Sequence, residues 1–328
     1  MPHYFHSLLV IVMLKSNHIK PFILIWRLPR MKVYLGTPRG FCAGVVRAID
    51  IVKIALEKYG APIYVKHQIV HNPYVVNSLE KQGAYTVENI VDIPEGSTVI
   101  FSAHGSPPED FEEAAMRNLR VIDATCPLVT KVHNEATKYH KEGRNLVMVG
   151  HRGHQEVKGS MGQAPMYLVD DREDIEMPNW KKDTPITILT QTTLSVDDTE
   201  SAIKNIKTGF KDVIVRNDLC YATTNRQVAV KELCKFVDTV LVIGAPNSSN
   251  CNRLREVAEK NGIKAYLVNG PEDINSKWIE NSSDLGITSG ASTPELLVEN
   301  VIEYLDPEEV ITLTGADEDI NFKLPAEL

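Results

Sequence analysis

The sequence predicts an α/β protein with mostly parallel sheets, divided among two or three domains. From residue 31 onward, short β-branched apolar runs alternate with amphipathic stretches of helical length, which is typical of parallel strand–helix units. The chain has 328 residues, and at roughly 100 to 200 residues per domain this length accommodates two or three domains. The number of predicted strands is also too large for one small sheet.

The first strand and helix are the clearest of these units. Residues 31–35 predict a strand, and apolar side chains then recur at steps of three and four from Val45 to Tyr59, on one face of a helix. Gly60 is typical of the residue that ends a helix. The same pattern predicts further strands at 62–65, 98–101, 121–124, 146–149, 185–189, 213–215, 240–243 and 285–288.

The composition is that of an ordinary globular protein. Apolar residues make up 43% and charged residues 24%, which excludes collagen-like and disordered classes. The net charge of −8 provides no basic field, so we expect neither nucleic acid nor a membrane surface as a partner. Five cysteines without close pairing argue against a secreted disulfide framework and favour a reducing compartment. We expect the cytoplasm, with an organellar stroma as the alternative.

Residues 1–30 stand apart from this pattern. They hold two apolar runs separated by the polar stretch 15–20, and neither run reaches the 18 residues or so that a membrane span needs. The charged start and small-residue cleavage site of a signal peptide are missing. We therefore expect an appendage or an upstream start, poorly ordered, with the working protein beginning at Met31.

Three cysteines lie in loops that follow predicted strands. Because the loops after parallel strands converge where ligands bind, Cys42, Cys126 and Cys220 are candidates for one shared site. Taken singly, each would be interpreted as a small buried residue. Three in equivalent positions favour thiolate ligation, and their spacing leaves an iron–sulfur cluster and zinc both open.

Histidines and one carboxylate occupy other loops of the same kind. His71, His104 and His154 follow strands, and Glu156 is a candidate proton donor with a tuned pKa. Together with His151, the pair His154 and Glu156 would also suit a zinc hydrolase acting on a phosphorylated metabolite. A non-catalytic iron–sulfur sensor or ligand-binding module is a third hypothesis.

Short polar side chains precede two predicted helices, at 248–250 and 289–293. Such residues are first of all helix N-caps. Two helix N-termini side by side could also hold a diphosphate, because their free N–H groups bind anions. Gly40 and Gly44 match neither the dinucleotide-binding fingerprint nor a P-loop, so a nucleotide cofactor is not indicated.

Taken together, these loops resemble the 4-hydroxy-3-methylbut-2-enyl diphosphate reductase family, which catalyses the last step of the non-mevalonate isoprenoid pathway. The similarity runs in order from Met31 to about Leu328 and leaves out residues 1–30. In the family pattern a proline stands where this chain has Gln155. The segments that carry the resemblance are PRGFCAGV (38–45), IVHNPYVV (69–76), FSAHG (101–105), DATCPLVTKVH (123–133), TQTTLS (190–195), CYATTNRQ (220–227), NSSNCNRL (247–254) and SGAS (289–292).

The resemblance implies a central 4Fe-4S cluster held by Cys42, Cys126 and Cys220, with a fourth iron open to the substrate oxygen. It also implies that Glu156 donates protons with the help of Thr192, as the hydroxyl leaves an allylic diphosphate. Two electrons, from a donor such as ferredoxin or flavodoxin, would give isopentenyl and dimethylallyl diphosphate. The implied substrate contacts are His71, His104, His154, Thr192, Ser248, Ser249, Asn250 and Ser292.

The resemblance also implies three small α/β domains around the cluster. We place them at 31–126, 127–216 and 217–305, and the strand within 31–43 is a candidate for packing with the third domain. The C-terminal tail, 306–328, is expected to pack back on the domains.

Overall fold

A computed structural model describes residues 31–280 and 282–328, so the expectation for residues 1–30 lies outside the described chain. The α/β class with parallel sheets is confirmed, because every paired strand runs parallel to its neighbours. The strands are β1 Lys32–Leu35, β2 Ile63–Lys66, β3 Ala84–Val87, β4 Thr98–Phe101, β5 Arg120–Asp123, β6 Asn145–Val149, β7 Met166–Val169, β8 Ile186–Thr190, β9 Val213–Val215, β10 Thr239–Ile243, β11 Lys264–Val268, β12 Asp284–Ser289 and β13 Glu309–Thr312.

Helices connect these parallel strands. The longest begins directly after the Cys42 loop and buries the apolar face that the sequence pattern indicates, with Ile51 and Val52 fully enclosed. The helices are α1 Ala43–Tyr59, α2 Pro73–Glu80, α3 Pro108–Met116, α4 Pro127–Lys141, α5 Gln155–Met161, α6 Val196–Thr208, α7 Tyr221–Leu233, α8 Ser249–Lys260, α9 Ser276–Ile279 and α10 Glu295–Leu305. Within the described residues, no helix is both long and apolar enough to cross a membrane.

The strands form three sheets. Their orders are β3-β2-β4-β5, β7-β6-β8-β9 and β11-β10-β12-β1-β13. The first strand of the described residues thus joins the last sheet, where β1 lies between β12 and β13. β1 belongs to the third sheet, whereas α1 packs against the first sheet. The Cys42 loop, which lies between β1 and α1, therefore connects the third sheet to the first. The domain boundaries themselves stay predictions.

Apolar side chains fill the space between each sheet and its helices. Central strands such as β4, β8 and β10 are buried on both faces, as expected for parallel sheets covered by helices. The carboxyl ends of the strands are therefore fixed by rigid cores, and the loops that follow them are held in defined positions.

Candidate active site

Loops from all three sheets line one cavity. It offers about 110 Å³ to the centres of water-sized molecules, several times the space that one buried water needs. Each of these loops lies beyond the carboxyl end of a strand, as expected for ligand sites in parallel sheets. All of the residues assigned to the site from the sequence line this cavity, namely Cys42, His71, His104, Cys126, His154, Glu156, Thr192, Cys220, Ser248, Ser249, Asn250 and Ser292.

The three cysteines occupy equivalent backbone positions, one from each sheet. Cys42, Cys126 and Cys220 are the N-cap residues of α1, α4 and α7. Each backbone N–H donates to a carbonyl in the loop after the neighbouring strand, at 3.2, 3.0 and 3.1 Å respectively. The backbones that carry the thiols are therefore fixed to the sheets.

Gly44 leaves room for the sulfurs. A Cβ at this position would lie 2.8 Å from the Cys126 Sγ and 3.9 Å from the Cys42 Sγ. Two thiols from different sheets thus flank the same point, and a side chain at residue 44 would displace one of them. The Cys220 Sγ accepts from the Thr223 backbone N–H at 3.3 Å.

The chemistry of the thiols fits a metal cluster better than a free nucleophile. Burial raises the pKa of Cys126 to about 12 and that of Cys220 to about 11, so both thiols are protonated near neutral pH without a cation. Bound metal deprotonates a coordinating thiol, and sulfur ligands are typical of iron–sulfur clusters. Helix N-termini behind the sulfurs favour their anionic, metal-bound form.

Glu156 is enclosed and bonded to a single neighbour. Its side chain is 3% exposed. The Thr192 backbone N–H donates to Oε1 at 2.6 Å, and the Thr192 hydroxyl donates to Oε2 at 2.9 Å. Burial raises the pKa of Glu156 to about 7 despite these hydrogen bonds, which is the range in which a carboxylic acid can deliver a proton at neutral pH.

Gln155 replaces the expected proline without disturbing this placement. It is the first residue of α5, after the N-cap His154. Proline is favoured at this position because the N–H there has no partner within the helix, and glutamine is equally able to begin a helix. Glu156 follows directly and reaches Thr192.

Three imidazoles form a cluster beside the carboxyl group. The His71 and His104 rings stack at 4.0 Å, and His154 meets them edge-on at 5.5 and 6.0 Å. Burial lowers the pKa of His71 to about 4 and that of His154 to about 3, and the neighbouring imidazoles add to the effect. The pKa of the fully enclosed His104 is lowered as well, again chiefly by burial.

Hydrogen bonding assigns a tautomer to His154. Its Nδ1 accepts from the Glu156 backbone N–H at 3.2 Å, so the neutral ring carries its proton on Nε2 and can donate it to a ligand. His71 Nδ1 lies 3.4 Å from Gln68 Oε1. Because that oxygen is an acceptor, the His71 proton is assigned to Nδ1.

Short polar side chains complete the wall. Asn250 Oδ1 accepts from the Ala291 N–H at 3.0 Å, whereas Asn250 Nδ2 is buried and has no hydrogen-bond partner among the described residues. The Ser292 hydroxyl donates to the His71 carbonyl at 3.0 Å, which links loops of two sheets. Burying an amide donor without an acceptor is costly, so this group fits a ligand rich in acceptor oxygens.

Several helix N-termini point positive potential toward the cavity. Five helices begin at residues that line it, with Cys42, Cys126, His154, Cys220 and Ser248 as their N-caps. Each N-terminus carries about half a positive charge. Among residues 31–280 and 282–328, no lysine or arginine lines the cavity. An anionic ligand would therefore be held by helix N-termini, imidazoles and hydroxyl groups.

The zinc hypothesis is not supported by these contacts. His151 lies outside the cavity lining, and its Nε2 contacts Asp171 at 3.0 Å and Arg253 at 2.8 Å. The grouping with metal-ligand spacing found in the described chain is His151, Asp170 and Asp171. Two guanidinium groups already contact these residues, since Arg253 lies against His151 and Arg172 donates to Asp170. The group therefore has little attraction for a further cation.

Several cavity residues were missed by the sequence analysis. The Tyr221 hydroxyl accepts from the Ala43 N–H at 3.1 Å, and Thr193 contacts Ser249 at 3.1 Å. Phe322 reaches the cavity from the C-terminal segment. Thr193 and Tyr221 lie within the segments TQTTLS and CYATTNRQ but were given no role there, whereas the pattern around Phe322 gives no signal.

Comparison with protein families assigns the chain. The model of the LytB protein family matches residues 33–306. The chain belongs to the LytB family. The resemblance inferred from the loop motifs is therefore confirmed.

Full-length relatives of this LytB chain are named as reductases. A protein of Bradyrhizobium diazoefficiens, named 4-hydroxy-3-methylbut-2-enyl diphosphate reductase 2, is 51% identical over 305 residues. The aligned region covers 91% of this chain and 99% of that protein. The 4-hydroxy-3-methylbut-2-enyl diphosphate reductase of Nitrosomonas europaea is 50% identical over 311 residues, which cover 90% of this chain and 96% of that protein. This LytB chain is accordingly an oxidoreductase.

Solved structures agree on the fold. The E-1-hydroxy-2-methyl-but-2-enyl-4-diphosphate reductase of Plasmodium falciparum is 36% identical and superposes with a TM-score of 0.88, covering 92% of this chain and 97% of the other. A second solved structure, described as the terminal enzyme of the non-mevalonate pathway, is 30% identical with a TM-score of 0.59 and covers 84% and 99%.

Proposed function

We propose that this LytB protein reduces 4-hydroxy-3-methylbut-2-enyl diphosphate to isopentenyl and dimethylallyl diphosphate, in the last step of the non-mevalonate isoprenoid pathway. The observation that carries the proposal is the meeting of three loop cysteines with a protonatable Glu156 in one cavity. The allylic C–O bond breaks, the hydroxyl leaves as water with one proton, and two electrons and a second proton complete the hydrocarbon.

Cys42, Cys126 and Cys220 would hold a 4Fe-4S cluster at one side of this cavity. When bound, such a cluster supplies electrons and, at an iron without a protein ligand, a Lewis acid for the leaving oxygen. Three protein thiolates leave that position free for substrate. Ferredoxin or flavodoxin as the electron donor and a cytoplasmic location stay predictions.

The substrate diphosphate would occupy the wall formed by the imidazoles and the short polar side chains. His154 Nε2–H, the unpartnered Asn250 Nδ2 and the N-terminus of α8 are donors that can meet its oxygens. Ser248, Ser249 and Ser292 add hydroxyl groups, with His71 and His104 beside them. Fixing the diphosphate in this way would hold the carbon skeleton in a single orientation for reaction.

Glu156 would deliver the proton that the leaving hydroxyl takes up. Its carboxyl group is bonded to the Thr192 hydroxyl, which lines the same cavity. A hydroxyl both donates and accepts, so Thr192 can pass a proton between Glu156 and a substrate oxygen. Because burial raises the pKa of Glu156 to about 7, the carboxyl group is mostly protonated below that pH.

The direct test is an anaerobic assay with the allylic diphosphate and a reduced dye as the electron source. We expect substrate to be consumed and both isoprenoid diphosphates to appear, with a brown protein that contains iron and acid-labile sulfide. A colourless zinc protein would contradict the proposal. A brown protein that binds the substrate but leaves it unchanged would indicate a sensor instead.

Diphosphate binding is expected to take up protons. Because His71 and His154 are neutral in the free protein at pH 7, a neighbouring anion raises their pKa and favours the charged form. Affinity for pyrophosphate should therefore fall as pH rises. Calorimetry at one pH, in buffers of different ionisation enthalpy, should report uptake on the order of one proton. Unchanged heats across buffers would mean that only neutral imidazoles bind the anion.

A further inference from the structure

The C-terminal segment after β13 returns to the loops that carry the cysteines. Residues 313–328 contain neither a helix nor a strand, yet Phe322 lines the cavity together with the three cysteines. The family model ends at residue 306, before this segment begins.

Arg226 joins the segment to two of the cysteine loops. This side chain is fully buried on α7, the helix that begins after Cys220. It donates to both carboxylate oxygens of Glu318, at 3.0 and 3.1 Å. It also donates to the Gly40 carbonyl in the Cys42 loop at 2.8 Å, and to a carbonyl in the first turn of α7 at 3.1 Å. One guanidinium thus joins the start of α7, just after Cys220, to the Cys42 loop, with Glu318 as its counter-ion.

Arg47 makes a similar link to the third loop. Its Nε donates to the Lys323 carbonyl in the C-terminal segment at 2.7 Å. Its Nη1 donates to the carbonyls of Ala124 and Thr125, the residues just before Cys126, at 3.2 and 3.1 Å. Because guanidinium donors lie in a rigid plane, this side chain fixes two adjacent peptide groups against the segment.

The far end of the segment is attached to α1. Lys58 Nζ and the Tyr59 hydroxyl both donate to the Glu327 carbonyl, each at 2.9 Å. Leu328 packs against the apolar core that α1 shares with the first sheet. The segment is therefore attached on both sides of Phe322, at Glu318 and at its last two residues.

We propose that the segment 313–328 is a positioning element of the cysteine site, acting through Glu318, Arg226 and Arg47. The three cysteines come from three separate sheets, so their mutual distances depend on contacts between loops. The Cys42 loop, the Cys126 loop and the first turn of α7, which follows Cys220, each accept a hydrogen bond from one of these arginines, and both arginines are hydrogen-bonded to the segment. This inference rests on the proposed role of the cysteines as iron ligands.

The test compares two neighbouring acidic residues of the segment in iron-loaded protein. Glu318→Ala leaves the buried Arg226 without its anionic partner. Asp319→Ala removes a charge from an exposed position that has no hydrogen bond or ion pair within the described chain. Release of iron to an excess of a ferrous chelator is followed under anaerobic conditions. Since partners behind metal ligands typically contribute 10- to 100-fold to metal affinity, we expect release from Glu318→Ala to be about tenfold faster or more.

Asp319→Ala should release iron at the wild-type rate. Equal rates for the two variants would overturn the inference while leaving the proposed function intact, because the wild-type protein would still hold iron. Wild-type protein that cannot be loaded with iron would overturn both. If Glu318→Ala does not fold, Arg47→Lys decides the matter, since lysine keeps the charge but replaces the planar donors, which are spread over Nε and Nη1, with a single ammonium group. Wild-type release from a folded Arg47→Lys protein would then contradict the inference.

Discussion

Replacing Cys126 with serine is expected to remove iron binding and activity together. Cys126 begins α4, and its sulfur lies with that of Cys42 beside Gly44. A serine hydroxyl is a hard, weakly acidic ligand, whereas iron in clusters is held by soft thiolates. We expect iron content after anaerobic loading to fall to a minor fraction of wild type, and turnover to fall by at least about 100-fold.

Cys234→Ser is the matched control. Cys234 is a half-buried free thiol at the end of α7 and does not line the cavity. It should keep both its iron and its activity. The measurements are iron and sulfide per chain, the visible absorbance of the anaerobic protein, and the initial rate with reduced dye. A Cys126→Ser protein that keeps its iron and its rate would remove this residue from the ligand set.

The sequence predicts every central strand, together with the edge strands β5 and β9. β4, β8 and β10 are buried on both faces and read as continuous apolar runs. The strands that were missed, β3, β7, β11 and β13, all lie at sheet edges. An edge strand is partly exposed, so it carries polar side chains and loses the apolar signal. β13, for example, has no fully buried residue.

The site residues could be predicted because they share a position in the fold. A residue in the loop after a parallel strand, directly before a helix, is placed at the carboxyl edge whatever its distance along the chain. Cys42, Cys126 and Cys220 all meet this condition as helix N-caps. The spacing of the three cysteines alone left an iron–sulfur cluster and zinc both open. The family motifs then indicated that these cysteines are iron ligands.

The C-terminal contribution could not be predicted in the same way. Glu318 and Phe322 lie in a segment without periodicity, where neither strand nor helix fixes a direction. Their partners, Arg226 and Arg47, are on helices, where a long charged side chain usually indicates a solvated face. Only the folded chain shows that Arg226 is buried and bonded to Glu318.

Replacing Glu156 with glutamine should preserve the site and remove its proton. Glutamine has the same shape and can accept from the Thr192 N–H, so iron loading and pyrophosphate binding should stay close to wild type. General acid groups contribute typically 10²- to 10⁴-fold, so we expect kcat to fall by about 100-fold or more, equivalent to about 2.7 kcal/mol of barrier. Wild-type turnover by Glu156→Gln would assign the proton to another group.

The pH profile separates a proton donor from a residue that only supports the fold. Because burial raises the pKa of Glu156 to about 7, the protonated form predominates below that pH and is lost above it. The rate of the wild-type enzyme should therefore fall about tenfold per pH unit on the alkaline side. A glutamine amide does not titrate, so the residual rate of Glu156→Gln should lack this inflection. An unchanged inflection in the variant would show that a different group sets the alkaline limb.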